Sequence, residues 1–434
     1  MSDRSVPGGM RALVVGSGGR EHAIVWALQR SSMFADVHAA PGNAGIAQTA
    51  TCHALDPNDP AAVAALAREL AVDLVVPAAD RQLANGVGNA VRALGIPAFG
   101  PNADGAHLEG SKAWMKEVAR DAGIPTARHA TFGADREEEA LAYLSDMPGL
   151  YVVKTDGLAE GKGVLVTEDL SDARDAVRAY LSGAAFGDAG RTLVIEEGMT
   201  GPELSLLAVC NGDPDGARPL APSQDFKRIG DDDTGLNTGG MGAYSPVPIA
   251  DGQVDDIVDR FVTPTLRHLS KQGIDYRGVL YAGLMFTPRG VKLVEYNVRF
   301  GDPEAQVVLP RLRTDAGELL YAAATGAPLP ELEFDDGAAV TVVMATENYP
   351  TSPYRTGDVI TGIDQAEALD DVTVFHAGTA QSSDGELVAS GGRVLDVTAM
   401  GATIDAARAR AYEAVDLISW PGAQHRRDIA QNPS

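Results

Sequence analysis

Short apolar runs bracketed by glycine, proline and aspartate recur along the chain. They include ALVVG at 12–16, DLVVPA at 73–78, YVVK at 151–154, VLV at 164–166 and RTLVIEEG at 191–198. Longer ones follow: ELSLLAVCNG, ARPLAPSQDF, GVLYAGLMFT, GVKLVEYNVRF, AVTVVMAT and GRVLDVTAMG. Runs of this length, rich in β-branched residues and bounded by turn formers, predict strands. Between them lie stretches with helical spacing of apolar residues: EHAIVWALQRS, PAAVAALARELA, GVGNAVRALG, SKAWMKEVARDAG, DREEEALAYL, DLSDARDAVRAYL and TIDAARARAYEAVDLI. A long helix is predicted over DGQVDDIVDRFVTPTLRHLSKQG.

The order of these elements divides the chain. Strand and helix alternate over 10–102, which predicts a small parallel α/β domain. Pro101-Asn102 marks a boundary. Residues 103–330 form a second region, with a compact α+β lid at about 125–191 and mostly strands beyond it. A small β-rich domain over 331–430 closes the chain. The fold class is α/β and α+β multidomain. SQDFKRIGDDDTGLNTGGMGAYSP reads as a long glycine-dense loop without regular structure, of the kind that closes over a substrate.

Composition narrows the function. A chain of 434 residues is too long for one ordinary core. The formal charge of −25, from 35 basic against 60 acidic side chains, argues against nucleic acid or an anionic membrane as partner. Cys52 and Cys210 are the only cysteines, far apart, which points away from structural disulfides and towards a reducing cytoplasm. No apolar run reaches the ~18 residues of a membrane span. The first ten residues, MSDRSVPGGM, read as a short disordered lead.

The stretch YVVKTDGLAEGKGVLV at 151–166 carries the clearest chemistry. Its two apolar runs predict a hairpin, and Gly157, Gly161 and Gly163 leave the connecting backbone open to an anion. Lys154 and Lys162 add point charges suited to a triphosphate. A Walker A loop is excluded, because the spacing is one residue short and Gly163 replaces the hydroxyl. The N-terminal turn through Gly16, Gly18 and Gly19 has Glu21 where the dinucleotide fingerprint wants glycine. It suits an anion at a helix N-terminus instead.

Downstream, Glu295, Asn297 and Arg299 are spaced two apart, so on a strand they share a face. A carboxylate and an amide oxygen suit Mg²⁺, and Arg299 would neutralise charge in phosphoryl transfer. Glu203 is placed to accept hydrogen bonds from a ribose, and the backbone near Glu197 to read an adenine edge. His22 reads as a packing or ligand-orienting residue.

Together these segments resemble the ATP-grasp superfamily and, within it, the phosphoribosylamine–glycine ligases. The matching segments are GSGGREHA at 16–23, APGNAG at 40–45, LEGSK at 108–112, DGLAEGKGV at 156–164, SQD at 223–225, NTGGMGAYSP at 237–246, RFGDPE at 299–304 and GGRVL near the end. The resemblance implies ATP-dependent joining of glycine to 5-phosphoribosylamine through glycyl phosphate. It assigns Arg299, Lys154 and Asp225 to catalysis, and Lys112, Lys154, Gly161, Lys162, Gly163, Glu196, Glu197 and Glu203 to the nucleotide. Glu295 and Asn297 would hold Mg²⁺, or Mn²⁺ in its place. The substrates fall to Gly16, Gly18, Gly19, Arg20, Glu21, Asn43, Asp80, Asp225, Lys227, Gly239, Gly240, Arg299 and Asp302. The implied partners are small molecules, with the enzyme a monomer or dimer. The chain departs from the family pattern at PAADRQL, where Asp80 stands for a glutamate and Arg81 is added, and at Phe226, where histidine is usual. The adenine-side run EEGMTGPE also has Gly198 and Met199 where bulkier apolar residues are common. A related carboxylate–amine ligase with another amine or amino acid is the alternative reading. A catalytically silent nucleotide-binding protein is the remote one.

Overall fold

The computed structural model describes residues 9–157, 163–185 and 187–433. Most of the leading segment, and Gly161 and Lys162 of the hairpin loop, lie outside the described residues.

The N-terminal region is a parallel sheet in the order Thr51–Cys52, Phe34–Pro41, Met10–Gly16, Leu74–Pro77. Its central strand shows why the sequence alternates without polar residues. Ala12 and Val14 pack into one core with the helix Gly19–Gln29, while Leu13 and Val15 pack into another with Val63, Ala67, Val87 and Val91. Both faces are covered, as a parallel sheet requires. The strand ends at Gly16, where φ is +132°, a conformation only glycine adopts freely. The chain then turns into the helix.

The predicted hairpin is present. Tyr151–Thr155 pairs antiparallel with Val164–Thr167, in a four-stranded sheet completed by Thr192–Glu197 and His129–Gly133. Val153, Leu193 and Ile195 pack against the helices Glu137–Ser145 and Leu170–Leu181. Period-two alternation therefore sends Lys154 and Glu196 to the opposite face. A second antiparallel sheet holds Glu203–Asn211, Arg277–Thr287 and Gly290–Asn297, with a short outer strand at Arg218–Pro219. The helix predicted over 251–273 contains a π-helical stretch at Val258–Val262, just before Pro264. Proline supplies no N–H to the helical ladder. Beside it the Phe261 carbonyl accepts from the Thr265 hydroxyl at 2.8 Å and the Tyr296 hydroxyl at 2.6 Å, which ties the helix to the strand Gly290–Asn297.

The last sheet corrects the reading of 223–246 as an irregular loop at Gly242–Ser245, while Gln224–Asp225 falls within the predicted ARPLAPSQDF strand. Gln224–Asp225 and Gly242–Ser245 are strands, and they join Ala338–Ala345, Arg393–Gly401 and Val372–His376 in one five-stranded sheet. The intervening chain forms its own hairpin, Arg228–Gly230 with Thr234–Asn237. The second partner of Gly242–Ser245 lies about a hundred residues away, so the local pattern carries no trace of that pairing. No helix among the described residues is long and apolar enough to cross a membrane.

Candidate active site

The lid sheet delivers Lys154 and Glu196 to one point because their strands are neighbours. Lys154 Nζ lies 3.0 Å from Glu196 Oε1, and Lys116 Nζ lies 3.0 Å from Glu196 Oε2. Lys116 comes from the helix Lys112–Asp121 and also donates to the Thr126 hydroxyl at 2.7 Å. Burial opposes charge on Glu196, but the two lysines outweigh it and hold the carboxyl down to about 2. Burial lowers Lys116 to about 8 despite the same ion pair. The triad thus carries one net positive charge on this face of the lid sheet, which can attract an anion.

Asp156 follows the hairpin strand and locks the same helix to it. Its Oδ1 accepts from the Ala113 N–H at 2.7 Å and the Ser111 hydroxyl at 3.0 Å. That contact sets Lys112, at the helix start, beside Asp156, whose carbonyl accepts from the Lys112 N–H at 3.4 Å. The Gly163 carbonyl accepts from the Thr155 N–H at 2.9 Å and closes the described part of the loop. Glu196 and Glu197 are committed to protein cations rather than free for a nucleotide. Glu197 Oε1 accepts from Lys292 Nζ at 3.0 Å and Arg289 Nη2 at 3.1 Å, and the carboxyl is held at about 2 against its burial. Glu203 is ion-paired with Lys227.

Glu295 and Asn297 end the strand Gly290–Asn297. Arg299 lies beyond the strand, so the expected three-residue strand face is a two-residue face followed by a turn. The arginine nevertheless folds back: Nη2 donates to Asn297 Oδ1 at 3.1 Å and to Glu109 Oε1 at 2.8 Å. Burial pushes the Glu295 carboxyl up, but Lys154, Lys112, Lys227 and Arg299 overcome it and keep it ionised below its ordinary value. Among the described residues its carboxylate makes no hydrogen bond or ion pair. An ionised, half-buried and unpaired oxygen ligand fits a hard cation, as does the neighbouring Asn297 amide oxygen. The described residues contain no group of three or more His, Cys, Asp or Glu that would form an all-protein cage. Two protein ligands completed by phosphate oxygens are what Mg²⁺ commonly uses.

Asp225 lies between these cations and a second carboxylate group. Lys227 Nζ is 3.7 Å from Asp225 Oδ1. Glu304 accepts from the Tyr281 hydroxyl at 2.5 Å and the Ser205 hydroxyl at 3.2 Å. Burial raises Asp225 to about 7; Lys227 opposes that rise, and Glu304 and Glu203 add to it.

The N-terminal turn meets the last sheet on the other side of Arg299. Glu21 Oε2 accepts from the Gly18 N–H at 2.5 Å, and Glu21 Oε1 pairs with Arg20 at 2.8 Å. A Cβ on Gly18 would lie 2.6 Å from Glu21 Oε2 and 3.4 Å from Asp302 Oδ2. Asp302 pairs with Arg393 Nη2 at 3.0 Å and accepts from Gln306 at 2.8 Å. Arg393 also donates to the Gly239 carbonyl at 2.6 Å, while a Cβ on Gly240 would meet Pro303 at 2.4 Å. Asn43 is occupied structurally. Its amide donates to the Ser17 and His376 carbonyls at 2.8 and 2.7 Å, and its oxygen takes the N–H groups of Gly45 and Ile46. Asp80 starts the helix Asp80–Ala84 and adds its field to Arg299 and Glu109. His22 is a packing residue. Its Nδ1 accepts from the His376 N–H at 2.8 Å, and burial, with His376 nearby, lowers it to about 3.

Sequence reasoning missed Glu109, Lys116, Asp156, Gln306 and Arg393. Lys116, one turn after Lys112, reads as a solvated helix lysine, yet only 1% of it is exposed. Glu109 and Arg393 stand inside quoted motifs, LEGSK and GGRVL, which was the available signal.

Three family models match in chain order. They are the phosphoribosylglycinamide synthetase N domain over residues 10–109, its ATP-grasp (A) domain over 110–305 and its C domain over 339–432. The chain is 50% identical to a Streptomyces coelicolor protein called phosphoribosylamine–glycine ligase, across 97% of this chain and 99% of that protein. A Mycobacterium tuberculosis protein of the same name is 48% identical, across 97% of each. The crystal structure of the Thermotoga maritima phosphoribosylamine–glycine ligase superposes with a TM-score of 0.83. It is 34% identical and covers 96% of this chain and 100% of its own. A Campylobacter jejuni biotin carboxylase shares the fold alone, with a TM-score of 0.73 at 15% identity over 98% of this chain and 96% of its own.

Proposed function

The chain belongs to the phosphoribosylglycinamide synthetase family, with an ATP-grasp domain at its centre, and from that premise we propose that it joins glycine to 5-phosphoribosylamine. ATP drives the reaction, and the products are glycinamide ribonucleotide, ADP and phosphate. The observation that carries this reading is the unpaired, ionised Glu295 among Lys154, Lys112, Lys227 and Arg299, one arginine away from the turn that faces Asp302.

In the first step a glycine carboxylate oxygen bonds to the γ-phosphorus as the bond to ADP breaks. Lys112 and Lys154 hold the phosphates, and Arg299 neutralises charge as it spreads over the transferred group. Glu295 and Asn297 would hold Mg²⁺, which neutralises phosphate charge when bound. In the second step the sugar amine attacks the acyl phosphate carbonyl, phosphate leaves, and the amine gives up a proton. Asp225, raised to about 7, is matched to accept that proton near neutral pH. Neither step needs a protein nucleophile; alignment and charge carry the rate. The hairpin over the phosphates protects the acyl phosphate from water. Asp302, Arg20, Glu21 and the Gly16–Gly19 turn position the amine side. The boundaries near 102 and 330 divide these tasks among three domains, in a cytoplasmic enzyme acting on small molecules.

The test is release of ADP and phosphate from ATP and Mg²⁺ with glycine and freshly made phosphoribosylamine. Turnover dependent on both substrates is expected. Turnover only with a different amine or amino acid overturns the assignment.

A further inference from the structure

Gln306, on the helix Ala305–Arg311, is wholly buried between two carboxylates. Its Nε2 donates to Asp302 Oδ1 at 2.8 Å and to Asp396 Oδ2 at 2.9 Å. Both protons of the amide are therefore used. Asp396 lies mid-strand in Arg393–Gly401 and is 1% exposed. The same two side chains also leave two buried oxygens without a partner: Gln306 Oε1 and Asp396 Oδ1. Each accepts and neither donates, so two ionised carboxylates on this amide leave both oxygens unsatisfied. One proton on Asp396 Oδ1 satisfies both.

We propose that Asp396 is a positioning residue of the amine side, protonated at Oδ1 and donating to Gln306 Oε1, so that a cyclic acid–amide pair aims Gln306 at Asp302. The surroundings agree. Arg393 and Arg20 face Asp302 and keep it ionised below its ordinary range against burial. Asp396 has burial, Asp302 and Glu21 pushing it up, with Arg393 and the Gln306 amide opposing, and it lies at about 7. The two carboxylates share one negative charge, held on Asp302. The helix start presses on the pair, since a Cβ on Gly19 would lie 1.7 Å from Asp396 Oδ2 and 2.8 Å from Gln306 Nε2. Loss of the proton sets two acceptors against each other and turns the amide away from Asp302. The Asp302 carboxylate then shifts against Arg393 and the Gly18 turn.

The inference rests on the proposed reaction for its activity arm. KM for the amine substrate is measured from about pH 6 to 9 in wild type, Asp396→Asn and Asp396→Ala. Wild-type KM should rise about tenfold across neutrality. Asp396→Asn keeps a donor for Gln306 Oε1 and should stay within about twofold of the pH 6 wild-type value, with no such rise. Asp396→Ala should be raised about tenfold at every pH. A rise shared by wild type and Asp396→Asn, or an Asp396→Asn defect equal to that of Asp396→Ala, overturns the proposal.

A second arm needs no turnover. Because the folded group at about 7 stands above its ordinary 3.8, its stabilising contribution is complete below 3.8 and lost as pH rises to about 7. The thermal midpoint of wild type should therefore fall relative to that of Asp396→Asn between about pH 4 and 7. Parallel midpoints overturn the proposal even if the enzyme uses another amine. A clean stability difference with no turnover on glycine faults the proposed reaction alone.

Discussion

On the nucleotide side two lysines, Lys116 and Lys154, close on the single carboxylate of Glu196; on the amine side two carboxylates, Asp302 and Asp396, share the single neutral amide of Gln306. Both clusters are buried, and both must settle charge that burial penalises. The first settles it by ion pairing and keeps a positive surplus that suits phosphate. The second has no cation between its carboxylates and keeps a proton instead, while Arg393 holds the charge of Asp302. The surplus on one side is kept below about pH 8, where Lys116 holds its proton. The charge on the other changes near neutrality. Glu295 belongs to neither arrangement: it is ionised by its surroundings and paired with none of the described residues.

The comparison can be broken first at Glu295. Glu295→Ala should lower kcat/KM by more than about 10³-fold, because it removes a ligand and no internal contact. Circular dichroism and the thermal midpoint should stay at wild-type values. Near-normal turnover would refute the metal assignment.

Glu196→Gln probes the paired charges and should cost about 2–4 kcal/mol of stability, since it leaves two lysines facing each other under the lid. Its pH signature is specific. The folded carboxyl lies at about 2 and the ordinary value is 4.5, so its contribution is full above 4.5 and lost as pH falls through about 2. Denaturant titrations at several acidic pH values should show wild type losing stability over that range more steeply than the variant. Equal slopes would place the stabilisation elsewhere.

The smallest effect is expected at Phe226, a departure that marked the amine or amino acid as uncertain. Its ring lies 6.2 Å from that of Tyr244 and 5.0 Å beneath the Arg426 guanidinium, which also binds Asp233 and Asp428. Phe226→His should therefore change stability by less than about 1 kcal/mol and kcat by less than about threefold. A switch in amine preference would show that this position reads the substrate after all.

Legibility followed the range of the interactions. The hairpin at 151–166 was readable because both strands and their turn are contiguous and period two places Lys154 opposite the apolar face. The N-terminal turn was readable because a glycine at φ +132° leaves a local signature at Gly16. The strand at 242–245 was not, because its partner begins near 338. Lys116 was missed for the same reason. Nothing beside it announces that Glu196 will cover it.

The sequence by itself determined the alternating elements, the glycine-rich hairpin, the Glu295–Asn297 pair and, through ordered motifs, the family. Local backbone preference and side-chain period suffice for those. Only the tertiary structure decided which charges are paired, which is free and which carboxylate keeps a proton. Those outcomes depend on burial and on distances between residues hundreds of positions apart. Gly19, Asp302, Gln306 and Asp396 become one unit only once the first helix rests on the last sheet.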